Sequence, residues 1–318
     1  MGVDFLTPLD ALFALAAVVP LGALALARRR ELEVRRAFRL SVPRARAVAP
    51  AALAVALLPA LLGVAAAQPV VVRQRQVSQR ADAQAYIVFD TSLSMAARHG
   101  PHAPSRLTRA KREALRLVAS LGDIPVGIAA MTDRTLPNLL PTTDLGLVDR
   151  TIRQSVGIDR PPPSLRYPDR ATTLRALVPM GTARFYSTGV THRILVVFTD
   201  GESAGPLRPR PGDQPLLVPP LFVHVWQSGE HVYRRGVLDR RYVADPTSRD
   251  TLERFAASTR GRVFAEGETG ALAATIRAAA GDATARTTVR QYARIPLAPW
   301  FVLAGALPLA FLLWRRNL

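Results

Sequence analysis

Three long apolar segments constrain the fold of this chain more than any other feature. A helix needs about 20 residues to cross the hydrocarbon core of a bilayer. The first segment runs from about Phe5 to Ala27, the second from about Ala47 to Val72, and the third from about Ile295 to Trp314. We therefore predict three transmembrane helices in a multi-pass protein, with a soluble domain between the second and the third.

The N-terminal region also has features of a cleaved signal peptide. It is apolar, and the small residues Ala65 to Ala67 precede Gln68 as they would at a cleavage site. A signal peptide begins with a basic region, however, whereas this chain has Asp4 and Asp10 there. Retention of the region is our prediction, and cleavage stays open as the alternative.

Arginine is concentrated between the first two apolar segments. Residues 28–46 contain eight arginines, opposed only by Glu31 and Glu33. Short loops rich in arginine stay in the cytoplasm. We therefore expect a cytoplasmic loop at about 28–46, a bacterial plasma-membrane location, and the soluble domain on the external face. A second set of arginines flanks the membrane on that external side and is left unexplained: Arg73, Arg75, Arg80, Arg286, Arg290 and Arg294.

The chain has a large net positive charge, but the position of the arginines along the chain says more about function than the total does. Lys and Arg total 42 against 24 Asp and Glu, which gives a net charge of +18. Because part of this excess belongs to membrane topology, it does not support nucleic-acid binding. The absence of cysteine excludes disulfides, thiolate metal sites and cysteine nucleophiles.

Between the second and third apolar segments, short apolar runs alternate with longer amphipathic stretches. This pattern predicts an α/β fold, a doubly wound and mostly parallel sheet. The predicted strands are 85–89, 126–131, 194–198, 221–226 and 261–265. Residues 105–121 have apolar residues at helical spacing, and we expect the arginines of that helix on its opposite, solvent-facing side. Short linkers at 73–83 and 281–294 would join the domain to the membrane segments.

Asp90, Ser92 and Ser94 follow the first predicted strand at a spacing of two residues. The carboxyl edge of an open parallel sheet is where ligands bind. One carboxylate with two hydroxyls suits a hard cation, Mg²⁺ or else Mn²⁺ or Ca²⁺. Neutral hydroxyls leave such an ion electrophilic, so an Asp or Glu of a partner protein can complete its coordination.

This arrangement resembles the metal-ion-dependent adhesion site of von Willebrand factor A (VWA) domains, whose first motif is Asp-x-Ser-x-Ser. The segment Phe198-Thr199-Asp200-Gly201 resembles the third metal loop of that family, which implies Asp200 as a ligand, often through water. The second loop departs from the family pattern, since Ala171 stands where the ligand threonine belongs. We assign that role to Thr172, with Thr173 as the alternative. The resemblance implies a VWA domain at 84–280, between membrane regions at 1–72 and 295–318.

Each motif also has a plain structural interpretation. Ser92 and Ser94 are residues that often cap a following helix. Asp200-Gly201 is a common turn after a strand.

The chain as a whole resembles the bacterial aerotolerance-type (Bat) membrane proteins. The resemblance rests on the start Phe5-Leu6-Thr7-Pro8-Leu9, the arginine-rich turn, the domain with its metal loops, and the final helix. It implies a protein-interaction component of the cell envelope, in a stress-related assembly with MoxR-type AAA+ ATPases or other VWA membrane proteins. Such an ATPase is cytoplasmic, so with an external domain the contact would fall on the loop at 28–46.

Two other functions compete with protein binding. A metal-dependent hydrolase would draw on His99 and His102, but these flank Gly100 and Pro101 and lack a third ligand nearby. No nucleophile or general acid–base pair is evident, so we predict that the chain is not an enzyme. A channel or transporter subunit is the other alternative, although Asp10 is the one acidic residue well inside the apolar segments.

Overall fold

The computed structural model describes residues 2–38, 49–162, 173–181, 185–202 and 216–316. The chain divides into two compact units. The first contains residues 1–76 and 290–318, and the second contains residues 77–289.

The second unit is built on a six-stranded sheet. Five strands are parallel and coincide with the five predicted runs: β3 (Ala83–Asp90), β4 (Val126–Met131), β6 (His192–Thr199), β7 (Pro220–His224) and β10 (Arg262–Ala265). The sixth, β5 (Thr135–Thr142), pairs antiparallel with β4 at the edge of the sheet. We did not predict β5, because Pro137 and Pro141 interrupt its pattern, and an edge strand tolerates proline.

The strand order confirms the predicted doubly wound fold. It runs β10-β7-β6-β3-β4-β5, so the first strand of the sheet lies in its middle, between β4 and β6. From β3 the chain continues to β4 and β5 on one side of the sheet, and then to β6, β7 and β10 on the other side. Strands β3 and β6 therefore flank the point where the winding direction reverses, which is where ligands bind in sheets of this kind.

Helices cover both faces of this sheet. All eight residues of β3 are buried, and they alternate between two cores as the period of a strand requires. Ile87 and Phe89 belong to one core, whereas Tyr86 and Val88 belong to the other. The first core includes α3 (Arg106–Ser120), α4 (Leu145–Gln154) and α7 (Thr269–Ala280), and the second includes α5 (Val178–Gly181) and α6 (Ser248–Ser258). A short hairpin of β8 (Tyr233–Arg234) and β9 (Val237–Leu238) lies before α6.

Helix α3 contradicts the prediction that its arginines lie on its solvent-facing side. Ser105 caps it, accepting a hydrogen bond from Thr108 N. Two of its arginines nevertheless face inward: Arg106 is fully buried and Arg109 is 9% exposed. Their guanidinium groups are buried against carboxylates, which compensate their charge; the amphipathic pattern alone could not reveal these partners.

Among its described residues, the first unit contains three helices that are long and apolar enough to cross a membrane, which confirms the three predicted segments. They are Pro8–Ala37, in which a 3-10 stretch (Pro8–Ala17) precedes α1 (Val18–Ala37), then α2 (Ala49–Ala66) and α8 (Ala298–Arg316). Residues 28–37 continue α1 and do not form a loop, because Arg and Glu favour helix and Glu31 pairs with Arg35 at 2.8 Å. Residues 39–48 of the predicted loop lie outside the described residues.

The same unit includes a small sheet that we did not predict. Its strands are β1 (Gly2–Phe5), β2 (Pro69–Arg80) and β11 (Arg286–Pro296), in the order β1-β2-β11. Strands β2 and β11 extend into the second unit and occupy much of the segments that we expected to be linkers. The Val, Gln and Arg residues of these segments do not alternate clearly between apolar and polar, so the pattern did not indicate strands. Backbone pairing between two segments that are distant in the sequence stabilises them instead.

Candidate metal centre

Asp90 and Asp200 lie at the carboxyl ends of adjacent parallel strands. Asp90 is the last residue of β3, and Asp200 follows the last residue of β6 directly. Both side chains are fully buried. The fold therefore brings together, at the switch point of the sheet, two carboxylates that are 110 positions apart in the sequence.

Hydrogen bonds to both oxygens fix the carboxylate of Asp90. Its Oδ1 accepts from Ser92 N at 2.9 Å, and its Oδ2 accepts from Thr199 Oγ1 at 2.7 Å. The hydroxyl of Thr199 in turn accepts from Gly201 N at 3.1 Å. Thr199 thus connects the loop after β3 to the loop after β6.

The hydroxyls of Ser92 and Ser94 are neighbours, with their Oγ atoms 2.9 Å apart. Ser92 stands at the start of a 3-10 turn (Leu93–Ala96), yet among the described residues its side chain makes no capping hydrogen bond there. This geometry does not favour the interpretation of the serines as helix caps. Adjacent ligands of an octahedral Mg²⁺ with bonds of about 2.1 Å are about 3.0 Å apart, so the two oxygens have a suitable separation.

The electrostatics of Asp90 also fit a cation. Burial raises the pKa of Asp90 to about 7, and the nearby carboxylate of Asp200 adds to this increase. A divalent cation would offset both effects, because it compensates the buried negative charge. Asp90, Ser92 and Ser94 therefore form a donor set of the kind that hard cations prefer.

Asp200 is held differently. Its Oδ2 lies 2.9 Å from Arg106 Nη1, and its Oδ1 accepts from Glu202 N at 3.1 Å. Both oxygens are thus engaged, which suits a residue that would reach an ion through an intervening water better than one that would bind it directly.

Arg106 is the centre of a buried ionic cluster that sequence reasoning missed. It also contacts Glu202 Oε1 at 2.8 Å, Glu230 Oε2 at 2.6 Å and Tyr242 OH at 3.0 Å. Arg109 continues the cluster, lying 2.6 Å from Glu230 and 2.7 Å from Glu266. Only Glu202 had a signal in the sequence, as an acidic residue two positions after Asp200.

The cluster and the two strand-end aspartates have an excess of negative charge. Among the described residues, the five carboxylates of Asp90, Asp200, Glu202, Glu230 and Glu266 are accompanied by two guanidinium groups, those of Arg106 and Arg109. Although burial opposes it, hydrogen bonds from both arginines lower the pKa of Glu230. Burial raises the pKa of Glu202, to which Asp200 also contributes. A cation at the strand ends would reduce this excess.

Thr172 lies outside the described residues. Its alternative, Thr173, begins the turn Leu174–Leu177, where its Oγ1 accepts from Arg175 N at 3.3 Å. The hydroxyl of Thr173 is therefore used at least in part as a cap.

The histidines do not form a second centre. His99 Nε2 lies 2.9 Å from Gln227 Oε1, and the buried His224 at the end of β7 lies 3.1 Å from Asp200 O. Burial lowers the pKa of His224. Among the described residues, no group of three or more His, Cys, Asp or Glu side chains could hold a metal ion. A cation in this part of the chain would therefore rely on hydroxyl ligands.

No protein-family model and no curated protein matches the chain. BatB from Bacteroides thetaiotaomicron, a conserved hypothetical protein, is 18% identical over 62% of this chain and 98% of its own, with a TM-score of 0.46. An aerotolerance-related membrane protein from Bacteroides fragilis NCTC 9343 is 19% identical over the same shares, also with a TM-score of 0.46. A von Willebrand factor type A protein from Catenulispora acidiphila is 14% identical over 66% of this chain and 45% of its own, with a TM-score of 0.38. The similarity that we expected from the sequence is thus found among solved structures.

Proposed function

We propose that this chain is a membrane-anchored VWA domain (84–280) that binds a partner protein through a divalent cation. Asp90, Ser92 and Ser94 would hold the ion, Asp200 would reach it through water, and Thr172 would complete the set. When bound, the ion supplies an electrophilic position that an Asp or Glu of the partner can occupy. The role is binding and not catalysis.

One observation carries this proposal. Two fully buried carboxylates, Asp90 and Asp200, meet at the switch point of the sheet beside two hydroxyl oxygens that are 2.9 Å apart. Burial disfavours the charged form of Asp90, and the negative charge of Asp200 disfavours it further, so a cation at this position would stabilise both carboxylates. The oxygen-only donor set favours Mg²⁺, with Mn²⁺ or Ca²⁺ as substitutes.

The proposed setting is a bacterial plasma membrane, crossed by the three helices of the first unit, with the domain on the external face. A stress-related envelope assembly with a MoxR-type ATPase is the proposed context. Under this topology the ATPase would contact the segment at 28–46, and the external partner would contact the metal.

Metal binding is tested directly on the full chain in detergent. Titration with Mn²⁺, followed by electron paramagnetic resonance, should detect one site that Mg²⁺ displaces. Asp90→Ala should abolish this site, whereas Asp250→Ala, which removes an exposed carboxylate from α6, should leave it intact. Equal Mn²⁺ binding by both variants would reject the assigned ligands.

Partner binding is tested by affinity capture from solubilised membranes. A partner captured with Mg²⁺ should be lost with EDTA and with Asp90→Ala, and retained with Asp250→Ala. If the partner is captured equally under all four conditions, it does not bind through the metal.

Topology is tested by labelling, since the chain contains no cysteine. A cysteine at the exposed Ser228 should react with an impermeant reagent on intact cells, and one at the exposed Glu33 only after lysis. The reverse pattern would place the domain in the cytoplasm.

A further inference from the structure

The ribbon formed by β2 and β11 carries arginines on both of its faces where it joins the membrane helices. Leu297 N donates to Pro69 O at 2.8 Å, and Ala81 N donates to Ala285 O at 2.9 Å. These two bonds imply one antiparallel register, in which Arg73 is opposite Ala293 and Arg294 is opposite Val72. Because side chains alternate across a strand, Arg73 and Arg294 point to opposite faces.

The acidic residues that would normally balance these arginines are missing. The sequence has no Asp or Glu at 69–81 or from residue 283 to its end. Four arginines of the first unit are exposed on these strands: Arg73, Arg75, Arg290 and Arg294. The one carboxylate of the small sheet within this unit is that of Asp4, which lies on β1 opposite Val70 of β2. The four arginines and Asp4 together have a net charge of 4 − 1 = +3.

Two of these arginines are close to the ends of the helices. Arg294 precedes the start of α8 by four residues, and Arg73 follows Pro69 by four residues. At about 3.3 Å per residue, both lie within about 13 Å of the level at which the strands meet the helices. The headgroup layer is several ångströms deep, and an arginine side chain bridges the remaining distance. Tyr292 (58% exposed) and Trp300 (68% exposed) add the aromatic residues typical of this layer.

We propose that Arg73 and Arg294 bind the phosphates of anionic phospholipids, with Arg75 and Arg290 adding weaker attraction from farther away. A docked protein would cover one face of the ribbon, whereas the headgroup layer surrounds both faces, and both faces are basic and exposed. This inference rests on the membrane crossing of α2 and α8 proposed above, and it does not depend on the metal site. It accounts for arginines that the positive-inside rule leaves unexplained.

The two ends of α8 provide the test. Trp300 and Trp314 are both exposed and 14 residues apart, about 21 Å along the helix. The variant W226F/W314F keeps only Trp300, and W226F/W300F keeps only Trp314. Each is reconstituted in vesicles of phosphatidylcholine and phosphatidylglycerol in which one lipid carries brominated chains, and quenching of the tryptophan reports which lipid is adjacent.

One arginine near an anionic surface favours association by about fivefold. We expect brominated phosphatidylglycerol to be preferred at Trp300 by at least about threefold, and this preference to shrink in high salt. R73Q/R294Q should remove most of it, whereas R75Q/R290Q, which removes the same charge farther from the helices, should retain most of it. The preference at Trp314, beside Arg315, should stay the same in both variants.

Three outcomes overturn the inference: equal quenching by the two lipids at Trp300, an unchanged preference in R73Q/R294Q, or an equal loss at Trp300 and Trp314. The membrane crossing itself fails separately, since Trp300 would then be quenched by neither brominated lipid.

Discussion

The Nη1 atom of Arg106 lies 2.9 Å from Oδ2 of Asp200, and both side chains are fully buried. Arg106 begins the helix that follows β3, whereas Asp200 begins the loop after β6. The ion pair therefore ties together the two halves of the sheet beside the candidate metal centre. It also engages Oδ2 of Asp200, which fits the proposal that Asp200 would reach the ion through water.

Replacing Arg106 by Leu should lower the free energy of unfolding by about 3–5 kcal/mol, because it removes the guanidinium group that contacts the buried carboxylate of Asp200 and one of the two that contact Glu230. Thermal unfolding of the full chain in detergent measures this loss. Arg116→Leu is the matched control on the same helix, since the Arg116 side chain is 70% exposed and should contribute less than about 1 kcal/mol. Similar losses in the two variants would contradict the structural role of the cluster.

Replacing Thr199 by Val should weaken Mn²⁺ binding by about 10- to 100-fold, because it removes the hydroxyl that donates to Asp90 Oδ2 at 2.7 Å and orients that carboxylate. Paramagnetic resonance titration gives the affinity. Thr275→Val removes a hydroxyl of α7 that donates to Ala271 O at 2.9 Å and accepts from Arg262 Nη1 at 3.3 Å. Neither bond involves Asp90 or the serines, so this variant should not change the affinity. Unaltered binding by Thr199→Val would show that this hydrogen bond does not orient a ligand.

Asp82 makes stability sensitive to acid. Arg80 donates to both of its carboxylate oxygens, at 3.0 and 2.7 Å, and this pairing together with Thr284 lowers the pKa of Asp82 well below its usual range. A carboxylate whose pKa is lowered in the folded state stabilises the protein at pH values above its usual pKa of about 3.9. This stabilisation is lost as the pH falls below that value. Asp82→Asn should therefore reduce the loss of stability on acidification below about pH 4.

Thermal unfolding of the full chain between pH 3 and pH 6 measures this slope. Asp149→Asn changes a half-exposed aspartate paired with Arg153 on α4 and should leave the slope close to that of the unchanged protein. If Asp82→Asn has the unchanged slope as well, the Arg80 pairing does not govern the acid response.

Alanine substitutions at Gly201 and Gly122 distinguish the cost of a strained backbone from the cost of a steric clash. Its φ is +75°, and a Cβ there would lie 2.7 Å from Ser248 O, whereas Gly122 has a φ of +66° with open space around it. Gly122→Ala should cost about 1–2 kcal/mol for the left-handed backbone alone. Gly201→Ala should cost more in thermal unfolding, and it should also weaken Mn²⁺ binding, because the clash displaces the loop that carries Asp200. Equal costs would mean that the loop accommodates the added methyl group.

The sequence predicted the parts of this protein that depend on local patterns. Continuous apolar runs gave five parallel strands, three long apolar segments gave three helices, and the spacing of Asp90, Ser92 and Ser94 gave the candidate loop. Sequence reasoning missed β5, β2 and β11, because proline or mixed polar residues hide the alternation of a strand when pairing with a distant segment stabilises it.

The sequence by itself determined which residues are apolar, helical or positioned after a strand, since the periods of helix and strand are local properties. Only the tertiary structure decided that Arg106 meets Asp200, 94 positions away, and that Glu230 joins them. Helical spacing placed the arginines of α3 in solvent. Arg106 is buried instead because carboxylates from distant loops converge on it, and no local pattern records such a convergence.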